Sequence, residues 1–225
     1  MPTVHVIHGF NVRDNGRNTT DKLLPYFRQR GYLAMDHDYG WVGPIRLRRR
    51  NARSVEEILP WIAPGDILVG HSNGCLLCWK LIEAGAPAAK VVCIQPAMKK
   101  GTVWSKSVQV LCLFNDKDRV MYLSYAWSRL TSFINIFREP HDWGYAGKVG
   151  FTEAENVLNI NTRKAVNPAK GHSGLFRPFS LAFWSHVILT WIDGGINEET
   201  NLRDPAVYGL LRKYDRRLQR EVADD

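Results

Sequence analysis

"VGHSNGC", residues 69–75, sets one serine between two glycines at the end of an apolar run. The run leading into it, "DILVGH" (66–71), is dense in branched aliphatics, as a strand buried on both faces requires. The residues that follow, "CLLCWKLIEAG" (75–85), carry the apolar spacing of a helix. A serine hydroxyl is a weak nucleophile until the backbone exposes it and a base takes its proton. A strand–turn–helix centred on Ser72 supplies the exposure, because a sharp turn leaves no room for side chains two residues to either side, hence Gly70 and Gly74. The amide of Asn73, at the helix N-terminus, would then face a developing oxyanion together with the positive end of the helix dipole.

Working outward, the chain alternates short apolar runs with helical patterns, which predicts a mostly parallel sheet covered by helices on both faces. The expected strands are 3–8, 32–37, 66–71, 90–95, 107–114 and 156–161. Helical patterns are expected from Thr20 to a cap at Gly31, over 73–84, 120–135 and 180–192, and from Ser54, whose spacing to Glu57 reads as a capping box. A further amphipathic helix is expected near 204–218, so the organisation reads as one α/β domain over 1–195 and a helical extension over 196–225.

A serine nucleophile needs an oxyanion donor, a base and an orienting carboxylate. "VIHGFN" (6–11) ends a strand in His-Gly, so Gly9 lets the chain turn closely and the amide of Phe10 becomes the second oxyanion donor beside Asn73. "LCLFNDKDRV" (111–120) offers Asp116 and Asp118 directly after a strand, and "NPAKGHSG" (167–174) offers His172 in a glycine-flanked loop. His141 sits in a surface-like segment, His186 falls within a helix, and His37 comes early in the chain. His5 and His8, three residues apart on a strand, point to opposite faces and do not make a metal pair; neither a metal nor a cofactor is expected. Cys75, Cys78, Cys93 and Cys112 all lie in apolar sequence and read as core residues of a protein kept in a reducing compartment.

With serine, acid and histidine in that order, residues 3–192 resemble the α/β-hydrolases through "HGF", "GHSNG", "NDKD" and "GHSG". The resemblance implies Ser72 as nucleophile, His172 as base and Asp118 as acid, since Arg119-Val120 after Asp118 matches the family's Asp-x-Val run; Asp116 is the alternative. It also implies a serine esterase acting through an acyl-enzyme. Thioesterase, amidase or acyltransferase chemistry would use the same parts, and a ligand-binding protein without turnover is the reading from another class. Few residues separate "CIQPA" from the next strand, too few for a large lid. The 53 residues between Asp118 and His172 are more than one helix and one strand need. That surplus holds an ordered-looking loop at 139–156, and its Trp143, with Trp104 and Trp127, is expected to shape the substrate pocket.

The net charge of +8 is concentrated in "IRLRRRNAR" (45–53), whose residues 46–53 read as a loop, and "RKYDRRLQR" (212–220). These arginines suit an anionic ester or acyl substrate better than nucleic acid, for which no recognition motif is present. No leader or membrane span is expected, which reads as a soluble, cytoplasmic protein.

Overall fold

A computed structural model describes residues 1–9, 16–40, 47–121, 143–165 and 167–196. Its centre is a sheet of six strands: β1 (Thr3–Ile7), β2 (Leu33–His37), β3 (Ile67–His71), β4 (Lys90–Ile94), β5 (Gln109–Phe114) and β6 (Val157–Asn161). All neighbours pair in parallel, in the order β2-β1-β3-β4-β5-β6. Each strand lies within two residues of the segment expected from the sequence.

Side chains alternate strictly between two cores, as a pleated strand demands. Leu68, Val91, Cys93, Val110 and Cys112 pack on one face beneath α3 (Asn73–Glu83) with Ile58 of α2 (Leu47–Ile58). Val4, Val6, Val69, Val92, Leu111 and Leu113 pack on the other, against α1 (Leu24–Gln29) and α5 (Pro178–Ile192). Trp184 of α5 is fully buried there. A short helix, α4 (Ala146–Val149), precedes β6. Among the described residues no helix is long and apolar enough to cross a membrane.

The strand order places the functional end. The chain winds outward from β1 to β2, then returns past β1 to build β3 to β6 in the other direction. The crevice where the winding reverses lies between the C-terminal ends of β1 and β3, the end of an open α/β sheet where ligands bind. His8 and Gly9 follow β1, and Ser72 follows β3.

One helix starts earlier than its sequence signal. Ser54 was expected to cap a helix, yet α2 begins at Leu47 and Ser54 lies inside it, its hydroxyl donating back to the Arg50 carbonyl at 2.8 Å. Glu57 does not close a capping box; it pairs with Arg53 at 2.7 Å and with Arg50 at 3.5 Å. These helical pairs hold the arginine-rich stretch as helix, so residues 47–53 are not a loop. The helices expected over most of 120–135 and near 204–218, and the 196–225 extension beyond Ile196, lie outside the described residues. The four cysteines are free and buried, and burial pushes the thiols of Cys78, Cys93 and Cys112 up.

Candidate active site

β3 runs into α3 through Ser72, whose backbone sits at φ 54° and ψ −114°, a conformation that side-chain-bearing residues rarely adopt. Such strain costs on the order of 1–3 kcal/mol and persists only where the surroundings enforce it. The Ser72 amide donates to the Ile94 carbonyl at 3.0 Å, and its own carbonyl accepts from Ala97 at 3.1 Å and Cys75 at 3.2 Å. The glycines make the turn sterically feasible. A Cβ on Gly70 would lie 2.6 Å from the backbone of Gly74 and Cys75, and one on Gly74 would collide with the carbonyls of Ile7 and His8.

Gly74→Ala is therefore expected to destabilise the fold by about 3 kcal/mol or more, because the clashing atoms are backbone and cannot swing away. Urea unfolding measures it, and a loss under about 1 kcal/mol would show that β1 and α3 can separate freely.

Gly9 passes close beside the serine: a Cβ there would sit 3.3 Å from the Ser72 Cβ. The loop after β1 thus reaches Ser72. Phe10, its expected amide donor, lies outside the described residues, as do Trp127 and His141.

Asp118 and His172 meet. The Nδ1 of His172 lies 2.7 Å from the Asp118 Oδ2, with Asp118 only 1 % exposed. A carboxylate accepts, so Nδ1 holds the proton and Nε2 is left with the lone pair a base needs. The other carboxylate oxygen accepts from the amides of Val120 at 3.0 Å and Met121 at 3.2 Å, which fixes the group from behind. Asp116 instead faces Arg163 at 3.4 Å, on the surface.

Asn73 opens α3, and its side chain is the centre of a buried polar network. Its amide exchanges hydrogen bonds with Asn51 of α2 at 3.1 and 3.2 Å and donates to the Tyr39 hydroxyl at 3.2 Å. Its oxygen also accepts from the Trp143 indole at 3.2 Å. Tyr39 passes the connection on, donating to the His8 carbonyl at 3.1 Å while its ring stacks on His8 at 4.3 Å. Trp143 is thereby joined to the residue beside the serine. The glycines of its loop explain the fit, since a Cβ on Gly144 or Gly147 would strike the backbone of Met98 and Lys99 or of Gln95. Trp104 is placed elsewhere: it is 4 % exposed, edge-on to Phe151, and borders a cavity of about 650 Å³ with Leu76 and Trp79 of α3.

The remaining histidines have separate partners. His5 bridges Asp66 at 3.0 Å and His37 at 2.8 Å, whereas His8 faces Asp38 at 3.2 Å. His186 sits 3.2 Å from the Thr190 hydroxyl. His71, inside the glycine-serine motif, is buried against Phe176 and His172. Burial first, and then the neighbouring His172, pushes its pKa down to about 3. Burial and His5 likewise lower His37 to about 4.

Below pH 6.5 the unfolded chain protonates both rings while the native protein does not, so stability falls with pH down to those values. Each ring contributes about 1.4 kcal/mol per pH unit. Urea midpoints at pH 7 and 5 test this: His71→Phe should flatten the decline, and an unchanged slope would assign the acid lability to other groups.

Polar residues just past strand ends, and Asn51 within α2, were the part of the site missed in the sequence. Tyr39, Asn51, Gln95 and Asn115 carry no motif. A signal was present nonetheless, since "GHS", "IQP" and "FND" each end an apolar strand in a residue able to donate a side-chain hydrogen bond.

No protein-family model and no curated protein matches the sequence. Solved structures do match in shape. A pyrethroid hydrolase, PytH, superposes with a TM-score of 0.51 at 12% identity, covering 88% of this chain and 99% of that one. The esterase domain of a Rhodothermus marinus protein gives 0.51 at 11% identity over 84% and 85% of the two chains. A dienelactone hydrolase-like promiscuous phosphotriesterase from metagenomic libraries gives 0.50 at 13% identity over 88% and 87%. The chain has the α/β-hydrolase fold. Within the α/β-hydrolase fold, Ser72 occupies the turn after the third strand described here, and Asp118 and His172 follow the fifth and sixth.

Proposed function

We propose that the protein is a serine hydrolase that cleaves carboxylic esters through an acyl-enzyme. The observation that carries this reading is the strained Ser72 turn at the same sheet end as a buried His172–Asp118 pair. His172 is reached from the residue next to the serine, with the His71 ring 4.9 Å away.

In this mechanism the Nε2 of His172 takes the Ser72 proton as the serine oxygen attacks the ester carbonyl. The new C–O bond pushes an electron pair onto the carbonyl oxygen, which the amides of Asn73 and Phe10 stabilise. The intermediate collapses by breaking the ester bond, and the imidazolium returns the proton to the departing alcohol. Water then attacks the acyl-serine, giving its proton to His172, which protonates Ser72 on release of the acid. Asp118 keeps the imidazole in the productive tautomer and offsets its transient charge.

Trp143 is the strongest candidate for the wall of the substrate site, through its bond to Asn73. Trp104, edge-on to Phe151 in the core beneath α3, is weaker. An anion-binding role for the basic cluster is also weaker than the sequence suggested, because Arg50 donates to the Tyr39 carbonyl at 2.7 Å and both Arg50 and Arg53 pair with Glu57.

Release of p-nitrophenol from acetate, butyrate and octanoate esters, with labelling by a fluorophosphonate, tests the proposal. Label on the Ser72 peptide with turnover supports it. Binding of esters without label or turnover would favour a ligand-binding protein.

A further inference from the structure

We infer that His71, Gln95 and Asn115 form a rack of three side-chain donors that fixes His172 in place, acting as positioning residues for its role as base. The inference rests on the hydrolase reading above. The three stand side by side: His71 ends β3, Gln95 follows β4 and Asn115 follows β5, at the ends of three adjacent strands and all at most 3 % exposed. Each donates to a carbonyl of the loop that carries the base. His71 Nε2 donates to the His172 carbonyl at 3.2 Å, and Gln95 Nε2 to that of Gly171 at 2.8 Å. Asn115 Nδ2 donates to Ala169 at 2.9 Å and, longer, to Gly171 at 3.5 Å.

A carbonyl oxygen can only accept, so these bonds fix the amide orientations and the His71 tautomer. Two acceptors are then stranded: His71 Nδ1 and Gln95 Oε1 are buried with no hydrogen-bond partner among the described residues. Gln95 also holds φ 48°, the only described non-glycine residue besides Ser72 in that region. Unsatisfied atoms and a strained backbone are costs that an apolar side chain at a relaxed strand end would avoid. They are retained where they hold the base.

The rack also ties base to acid. The Asn115 Oδ1 accepts from the Lys117 amide at 3.0 Å and its carbonyl from the Asp118 amide at 3.0 Å, so one residue anchors both loops. Positions anchored to strands are held more precisely than positions carried by loops alone. A base held there keeps its nitrogen aligned through the reaction, where misplacement by about 1 Å can cost about a hundredfold in rate.

Gln95→Met tests the inference, since it keeps the side chain's length and removes only the donor and the stranded acceptor. On p-nitrophenyl butyrate the expected result is a kcat lowered about tenfold or more with KM within about twofold. The melting temperature should stay within about 3 °C. Amide hydrogen exchange over 169–173 should quicken. His71→Phe, which retains the ring against Phe176, should give the same split between kcat and KM. An unchanged kcat in both variants, or kcat, KM and melting temperature all failing together, would overturn it. The hydrolase reading fails separately: if the wild-type protein neither labels nor turns over, exchange over 169–173 alone decides, and unchanged exchange in Gln95→Met overturns the rack.

Discussion

Ser72→Ala is expected to lower turnover of p-nitrophenyl esters by about 10⁴- to 10⁶-fold while leaving the protein folded. The size follows from the division of labour. Without the hydroxyl there is no acyl-enzyme, and what remains is the acceleration that oxyanion amides and substrate binding give to direct attack by water. Stability should hardly change, because alanine keeps the Cβ and the strained φ of 54°. Ser72→Gly separates the two effects: it should be equally inactive but more stable, by about 1 kcal/mol or more, since glycine occupies positive φ without strain. Thermal melts beside the activity assay read both. Turnover above a hundredth of the wild-type rate in a pure Ser72→Ala preparation would remove the serine from the mechanism.

The serine was legible because its constraint is local. A strand, a tight turn and a helix are written in seven residues, and the glycines record clashes with Ile7, His8 and Cys75 that only a side chain's absence relieves. The four inner strands β1, β3, β4 and β5 were legible for a similar reason, since parallel strands buried on both faces must be almost continuously apolar, whereas the edge strands β2 and β6 are only partly buried. What failed locally was α2. Its Ser54–Glu57 spacing mimics a cap, but Arg53 and Arg50, one and two turns before Glu57, compete for the same carboxylate and extend the helix to Leu47. Between Asp116 and Asp118 the residues alone left the choice open, and the family-like Arg-Val run favoured Asp118. The fold separates them by placement, as one carboxylate turns inward onto His172 and the other outward onto Arg163.

The strand-end donors were not legible because their partners are remote. Gln95 and Gly171 are 76 positions apart, and Asn51 and Asn73 belong to different helices. Sequence shows that a polar residue closes a strand, but only the strand order reveals that three such residues line up. The same order sets Tyr39, reached after β2, against the residues that follow β1 and β3. The candidate site thus draws on side chains at one end of the sheet whose common feature is topological rather than sequential.

Asp118→Asn is expected to cost about 10⁴-fold in kcat with little change in KM, through the tautomer of His172 rather than through lost charge alone. In the native site Asp118 accepts from three donors: His172 Nδ1 and the amides of Val120 and Met121. Asparagine has one accepting oxygen, and the two backbone amides claim it, since turning the NH2 toward them would set donor against donor. Its NH2 must then face His172, which can accept only by moving its proton from Nδ1 to Nε2. The nitrogen needed to deprotonate Ser72 is thereby blocked in a site whose shape is intact. Asp116→Asn is the matched control, expected to stay within about twofold because its partner is a surface arginine at 3.4 Å. Steady-state kinetics on the two purified variants decide the matter. A tenth or more of native kcat in Asp118→Asn, or a large loss in Asp116→Asn, would mean that the 2.7 Å contact holds the loop and does not steer the base.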